Sequence, residues 1–205
     1  YKRQPLPDHV VPGDKVVIAQ SGYLPGEKRL ADAIYLAILE SLEAGGVSSD
    51  DIQLVIAPPA IQFAEQALTK DLSDTFNMPF PVKAFDPSND TETAYLLADE
   101  SGEPLHLARS LVDADVVVTL GCFGYDASLH GRSPEGEIWP SFARQNRREA
   151  LVTSLSKHRR QALRQWRDEL EQITAQLGVL ASLHLVAGDN QTLAGVTFGF
   201  PASSV

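Results

Sequence analysis

Residues 121–140 hold the side chains that are best suited to acid–base chemistry. Asp126 and His130 lie four positions apart. A carboxylate and an imidazole commonly transfer protons in enzymes, because their pKa values can be tuned toward neutral pH. Tyr125 and Arg132 lie on either side of this pair, and a guanidinium can hold a carboxylate or phosphate through two parallel N–H donors. These four residues predict a site that binds a small anion and moves a proton.

The same residues also have structural interpretations, which the sequence leaves open. His130 could lie in a partly exposed loop without a chemical role. Arg132 could form a surface ion pair with Glu135 or Glu137. Asp126 could cap a turn, since a short carboxylate often accepts hydrogen bonds from nearby backbone N–H groups.

The element before this loop predicts where the site lies. Residues 116–120 form a short apolar run rich in valine, which indicates a buried parallel strand. Sheets of α/β proteins bind ligands beyond the carboxyl ends of their strands. Loops 20–29 and 58–62 also follow predicted strands, and the first of them ends in the cations Lys28 and Arg29. We expect the three loops to bound one pocket for a small carboxylate or phosphate.

Strands and helices alternate through most of the sequence. We predict strands at 15–19, 52–57, 82–85, 116–120, 180–186 and 192–198, helices at 30–44 and 60–72, and a hairpin formed by 95–98 and 104–107. Residues 108–113 are predicted to be a short link, and 141–177 to be mostly helical with a break near 155–158. The alternation predicts an α/β, Rossmann-like fold with a mostly parallel sheet, flanking helices and antiparallel hairpin additions.

We expect residues 1–205 to form a single domain, with an N-terminal lead-in at 1–12, a helical segment at 141–178 and a closing hairpin at 180–199. Several residues with chemical potential are predicted to be structural instead. Trp139 and Trp166 are predicted core or interface anchors, Cys122 a small apolar residue, and His106 and His184 core or edge residues of strands.

The composition excludes several partners. The formal net charge is −10, which disfavours nucleic acid and anionic membranes because both bind basic surfaces. No apolar run approaches the roughly 20 residues of a membrane-spanning helix. Cys122 is the only cysteine, so we expect no intrachain disulfide and a cytoplasmic location. A homo-oligomer and a C-terminal partner domain both stay open.

One basic cluster departs from this acidic balance. It consists of Arg144, Arg147, Arg148, Lys157, Arg159, Arg160, Arg164 and Arg167. We interpret it as a solvated helix face balanced by Asp168, Glu169 and Glu171. A phosphate-binding or partner-binding surface is the alternative.

Four segments together resemble the N-terminal domain of the nickel-dependent lactate racemase family. They are PGDKVVIA at 12–19, LEAGGVSSDDIQLVIA at 42–57, SGEPLHLARSLVDADVVVTLG at 101–121 and LHLVAGDNQTLAGVTFGFP at 183–201. The resemblance implies a Rossmann-like domain of a 2-hydroxy-acid racemase or epimerase, an isomerase that uses a nickel-pincer nucleotide. The smaller C-terminal domain of that family is absent from this sequence.

The residues that serve catalysis in the family are replaced here. Loop 20–29 lacks the motif of the family, an acidic residue followed by Thr-Arg-Pro, whose arginine contacts the substrate carboxylate. Ile61 stands at the position of one catalytic histidine, Asp126 at that of the other, and Gly136 at that of the lysine that tethers the cofactor. His158 is the nearest counterpart of the nickel-ligating histidine, displaced by several residues. The resemblance therefore predicts the scaffold without the cofactor, without a metal site and without nickel-pincer racemisation.

Three functional hypotheses follow. The chain could bind a small anion in a retained pocket. It could be an enzyme of altered acid–base chemistry that uses Asp126, His130 and Arg132, with Lys28, Arg29 and Tyr125 among its binding groups. It could also be a non-catalytic interaction domain that uses the basic cluster or the closing hairpin.

Overall fold

The computed structural model describes residues 5–21, 24, 28–57, 78–123, 138–187 and 193–199. The helices are α1 (Lys28–Ala44), α2 (Arg109–Val112), α3 (Gln145–Lys157) and α4 (Arg159–Gln176). The strands are β1 (Val16–Ser21), β2 (Ile52–Ala57), β3 (Val82–Ala84), β4 (Thr93–Ala98), β5 (Pro104–Ala108), β6 (Val116–Phe123), β7 (Val179–Ala187) and β8 (Leu193–Gly199). Short 3-10 helices lie at Leu6–His9, Ser49–Asp51 and Asp90–Glu92.

The main sheet has six strands in the order β3-β2-β1-β6-β7-β8. The first five strands are parallel to their neighbours, and β8 is antiparallel to β7. Strands β4 and β5 form a separate antiparallel hairpin. The predicted fold class, a mostly parallel α/β sheet with antiparallel additions, is confirmed.

Each face of the sheet carries its own apolar core. On one face α1 packs Tyr35, Leu39 and Leu42 against alternate strand residues such as Val16 and Ile18. On the other face the β4–β5 hairpin, α2, the segment around Trp139, and helices α3 and α4 cover the sheet. Because both faces are covered, the central strands are apolar along most of their length rather than alternating.

Several predicted elements differ from those observed. Residues 108–113, predicted to be a short link, contain the short helix α2. Strand β6 continues to Phe123, three residues past its predicted end, because it pairs with β7 through Gly121 and Cys122 despite their low strand propensity. The predicted helix at 60–72 lies outside the described residues.

The long helical region and its predicted break are confirmed. Helix α3 ends at Lys157 and α4 begins at Arg159, with His158 in a non-helical conformation between them. Trp139 and Trp166 are buried in the core, as predicted. In the described parts of the chain, none of the helices combines the length and the apolar character needed to cross a bilayer.

Candidate functional site at the carboxyl edge of the sheet

The strand order creates a switch point between β1 and β6. The chain places β2 and β3 on one side of β1, then crosses to β6 and β7 on the other side. The parallel register brings the strand ends together, since Ser21 pairs with Ala57 and Gln20 with Leu120. A crevice opens beyond the carboxyl ends of the strands at such a point, and this is where open α/β sheets bind ligands. Strands β1, β2 and β6 all end at this edge.

Small polar side chains replace the aliphatic core at this edge, on the face opposite α1. We call Ser21, Thr119, Ser141, Ser182 and His184 the edge layer; all five are buried. The Oγ atoms of Ser21 and Ser141 lie 2.8 Å apart and share a hydrogen bond. Thr119 Oγ1 donates to Ser182 Oγ over 2.8 Å. His184 pairs with Gly121 on the neighbouring strand.

This face of the sheet changes from apolar to polar within two residues along β1 and β6. Val17, Ala19 and Val117 precede Ser21 and Thr119 on the same face and belong to the apolar core. Buried hydroxyl groups are tolerated because they are hydrogen-bonded to one another. They form a neutral polar floor, which can hydrogen-bond to a ligand without adding negative charge to the site.

On the α1 face, a second polar contact lies at the end of β1. The Tyr35 hydroxyl donates to Gln20 Oε1 over 2.6 Å, and both side chains are buried. Burial raises the pKa of Tyr35, although the hydrogen bond to Gln20 opposes this effect. Tyr35 therefore remains a hydrogen-bond donor at neutral pH and fixes the orientation of the Gln20 amide.

The turn that begins at residue 138 is packed into the core. Ile138, Trp139 and Phe142 are fully buried. Trp139 Nε1 donates to Glu169 Oε2 over 3.1 Å, and its carbonyl oxygen accepts from Trp166 Nε1 over 3.2 Å. The same turn carries Ser141 of the edge layer, so these contacts help to position the floor of the site.

A charged cluster supports this turn from outside the sheet. In this Arg147 cluster, the guanidinium forms ion pairs with Asp99, over 2.7 Å, and with Glu169. Asp99 Oδ1 also accepts hydrogen bonds from the Ser101 backbone N–H, the Ser101 hydroxyl and the Glu103 backbone N–H. Glu169 Oε1 accepts a further hydrogen bond from Gln165. The cluster joins the hairpin to α3 and α4.

The pKa values of the two carboxyl groups in the Arg147 cluster are shifted in opposite directions. Burial raises the pKa of Glu169, and Arg147 offsets this only in part. Burial also acts to raise the pKa of Asp99, but hydrogen bonds from Ser101, Glu103 and Arg147 outweigh it and lower the pKa. The nearby negative charge of Asp99 adds to the raised pKa of Glu169, because like charges disfavour ionisation.

The predicted basic face is only partly solvated, which corrects the sequence interpretation. Arg144 is half-buried and pairs with Asp90, Arg147 belongs to the cluster just described, and Glu169 is buried rather than exposed. Arg148 is also buried, and this lowers its pKa to about 10. The cations that remain on the surface are Lys157, Arg159, Arg160, Arg164 and Arg167.

Most of the predicted site residues lie in parts of the chain that the structure does not describe. Tyr125, Asp126, His130 and Arg132 all fall there, as do Ile61 and Gly136. Lys28 and Arg29 open α1. The roles of these residues stay predictions. Among the described residues, no three His, Cys, Asp or Glu side chains converge on a possible metal position.

Sequence reasoning missed the edge layer and the Arg147 cluster. One signal for the edge layer was available, because Ser21 and Thr119 interrupt or end apolar runs at the carboxyl ends of predicted strands. Ser141 and Ser182 had no such signal, since their partners are distant in sequence.

Comparisons with known proteins support the fold. No protein-family model matches the sequence, and no curated protein matches it. Among solved structures, the lactate racemase apoprotein from Thermoanaerobacterium thermosaccharolyticum matches with a TM-score of 0.71 and 17% identity, over 98% of this chain and 49% of that chain. This chain thus spans about half the length of that protein. Similarity at this level of identity shows that the chain has a lactate racemase-like fold.

Proposed function

We propose that this chain binds a small anion, a carboxylate or a phosphate, beyond the carboxyl ends of β1 and β6. The observation that carries the proposal is the edge layer at the switch point of the sheet. Buried polar groups replace aliphatic ones where ligands of such folds bind. A neutral hydroxyl floor suits an anion, because it offers hydrogen bonds without electrostatic repulsion.

The cations for this anion come from the segments that flank the switch point. Arg132 follows β6, and Lys28 and Arg29 follow β1. We propose that these three residues contact the anion, with Tyr125 as a further donor. The chain has a net charge of −10. These local cations must therefore attract the anion more strongly than the net negative charge of the chain repels it.

We further propose that the racemase-like scaffold does not carry a nickel-pincer cofactor in this chain. A glycine at position 136 has no amine to form a covalent tether. An isoleucine at position 61 cannot accept a proton, and a racemase needs a base on each face of its substrate. Intact mass and metal analysis of the purified protein test this point. A covalent adduct or stoichiometric nickel would contradict it.

Asp126 and His130 extend the proposal to catalysis. If the bound anion undergoes proton transfer, these two residues are the acid and base that the sequence offers beside Arg132. Turnover that survives Asp126→Ala would remove this role while leaving anion binding intact. The interaction-domain hypothesis also stays a prediction. In its favour, β8 is an edge strand without charged residues, and Val196 and Phe198 on it are exposed.

Binding is best tested by titrating the protein with malonate and with inorganic phosphate while backbone amide shifts are recorded by NMR. We expect the largest shifts near Ser21 and Gly121, at the ends of β1 and β6. Arg132→Ala should weaken binding about tenfold or more, since a hydrogen-bonded ion pair with an anion is worth roughly 1.5–3 kcal/mol.

Arg167→Ala is the matched control, because it removes the same charge from the exposed surface of α4. We expect it to leave the affinity nearly unchanged. Equal losses of affinity in the two variants would indicate a general charge effect. The absence of chemical-shift changes at the ends of β1 and β6 would contradict the proposal.

A further inference from the structure

A cavity lies on the flank of the sheet, away from the carboxyl edge. It has a volume of about 480 Å³ and is bounded by β2, β3, α2 and the 3-10 helix at Asp90–Glu92. Cavities that bind small molecules commonly have volumes of about 300–1,000 Å³. Gln53 lies on its wall, four residues before Ala57 at the end of β2, which is roughly 13 Å along the strand. The cavity is therefore separate from the crevice at the switch point.

The cavity combines an apolar floor with charged side chains of both signs. Phe85 on its floor belongs to the apolar core. Lys83 and Arg109 supply two positive charges to the lining, and Glu92 and Asp113 supply two negative charges. Within the described parts of the chain, no ion pair joins these four side chains. Opposite charges that line one cavity without pairing suit a ligand that carries both signs.

Arg109 is oriented by the hairpin rather than by a carboxylate. Its Nε donates to the Thr91 carbonyl oxygen over 3.2 Å, and its Nη2 donates to the Thr93 carbonyl oxygen over 3.0 Å. Asp113 follows four positions later at the end of α2, a spacing at which opposite charges often pair on a helix. The guanidinium has five N–H donors, so it retains donors for a ligand after binding both carbonyl groups. Its fixed position lowers the entropy that ligand binding would cost.

The two acidic side chains of the cavity differ in their contacts. The Glu92 carboxylate accepts hydrogen bonds from the Asp86 backbone N–H over 3.3 Å and from Asn89 Nδ2 over 3.1 Å. Among the residues that the structure describes, the side chains of Lys83 and Asp113 make no hydrogen bond or ion pair. Glu92 therefore supports the local fold, whereas Lys83 and Asp113 keep their charges available.

We propose that this cavity binds a small zwitterion of the ω-amino acid class, in which a carboxylate and an ammonium group are several bonds apart. The carboxylate contacts Lys83 and Arg109, and the ammonium contacts Asp113. The separation follows from α2, because Arg109 and Asp113 are about 6 Å apart along the helix axis. The inference goes beyond the proposed function, since it concerns a different site and a ligand without net charge.

Four small probes test the two charges and their spacing in an NMR titration: 4-aminobutyrate, its isomer 2-aminobutyrate, butyrate and butylamine. We expect 4-aminobutyrate to shift the backbone amides of Lys83 and Ser110. It should bind about fivefold more tightly than butyrate or butylamine, each of which lacks one charge, since a partly exposed ion pair contributes up to about that factor. It should also bind more tightly than 2-aminobutyrate, whose charges are too close together to reach both groups.

Two variants test the assigned contacts. Lys83→Met and Asp113→Asn should each weaken the binding of 4-aminobutyrate about fivefold. Lys157→Met and Glu43→Gln are the matched controls, because they make the same charge changes at exposed positions of α3 and α1. We expect both controls to keep the wild-type affinity. Since Lys83 and Asp113 are exposed, all four variants should unfold close to the Tm of the wild-type protein.

Three outcomes would overturn the inference. They are equal affinity of the wild-type protein for 4-aminobutyrate and one of the other three probes, wild-type affinity in Lys83→Met or Asp113→Asn, and the absence of shifts at Lys83 and Ser110. None of them bears on the proposed function, because malonate binding at the carboxyl edge is followed through Ser21 and Gly121. Failure of malonate to shift those two amides would in turn leave this inference intact.

Discussion

Two buried polar regions on the same face of the sheet have opposite characters. The Arg147 cluster is charged, and its two carboxylates accept hydrogen bonds and ion pairs from five residues of the chain itself. The edge layer is built mainly from hydroxyl groups that pair with one another. Full occupation of the acceptors in the cluster indicates a structural role. The position of the edge layer at the switch point, in contrast, suits a ligand floor.

Burial of polar groups does not by itself mark a functional site in this protein. The pKa values of both carboxyl groups in the Arg147 cluster are shifted, and shifted pKa values are a common sign of active sites. Its contacts nevertheless explain these shifts, since they join the hairpin, α3, α4 and the turn at Trp139. The property that distinguishes a ligand site from a structural cluster is therefore hydrogen-bonding capacity that faces a crevice.

The largest expected effect is the loss of stability on removal of the central cation. Arg147→Met would leave Asp99 and Glu169 buried without their counter-charge, and breaking a buried pair in this way costs about 3–5 kcal/mol. The free energy of unfolding in urea measures this loss. Arg144→Met is the control, because the ion pair of Arg144 with Asp90 is much more exposed, with 31% and 70% of the side chains accessible, and should contribute about 0–1 kcal/mol. Similar losses of unfolding free energy in both variants would contradict the structural role of the Arg147 cluster.

A smaller effect is expected in the edge layer. Ser182→Ala leaves the Thr119 hydroxyl without its acceptor, which should cost about 1–2 kcal/mol of unfolding free energy. The double variant Thr119→Val with Ser182→Ala should recover most of this loss, because both polar partners are then gone. If the layer is a ligand floor, the double variant should still bind malonate more weakly than wild type. Wild-type stability together with wild-type affinity would contradict the role of the layer.

The smallest effect is the pH dependence that Glu169 adds to stability. Because the pKa of Glu169 is raised above its ordinary value of 4.5 in the folded protein, the folded state retains a proton that the unfolded state has lost. Stability should therefore fall as pH rises from about 4.5 through the raised value. Asp99 acts in the opposite sense, since its lowered pKa makes stability fall as pH drops below its ordinary value of 3.8.

Urea titrations between about pH 2 and 8 separate the contributions of the two carboxyl groups. Glu169→Gln should flatten the decline above pH 4.5 and leave the acid-side loss from Asp99 in place. An unchanged slope in Glu169→Gln would show that Glu169 is not desolvated in the folded state.

The order of elements was largely predictable because it depends on local patterns. The apolar run at 52–57 is β2, and helical spacing of apolar residues at 30–44 lies within α1. The hairpin β4–β5 follows from two short runs around a turn with Gly102 at φ 86°. Predictions were weakest where tertiary pairing overrides local preference, as in the extension of β6 through Gly121.

Sequence alone determined the net charge, the alternation of strands and helices, and the residue types at positions 61, 126 and 136, on which the proposal about nickel-pincer chemistry rests. Only the tertiary structure decided which polar groups meet. Ser21 and Ser141 are 120 positions apart, Thr119 and Ser182 are 63 apart, and Arg147 and Asp99 are 48 apart. These contacts depend on strand register and on the crossover from β3 to β6. Strand register and this crossover leave no periodic pattern in the sequence, because both bring together residues that are far apart along the chain.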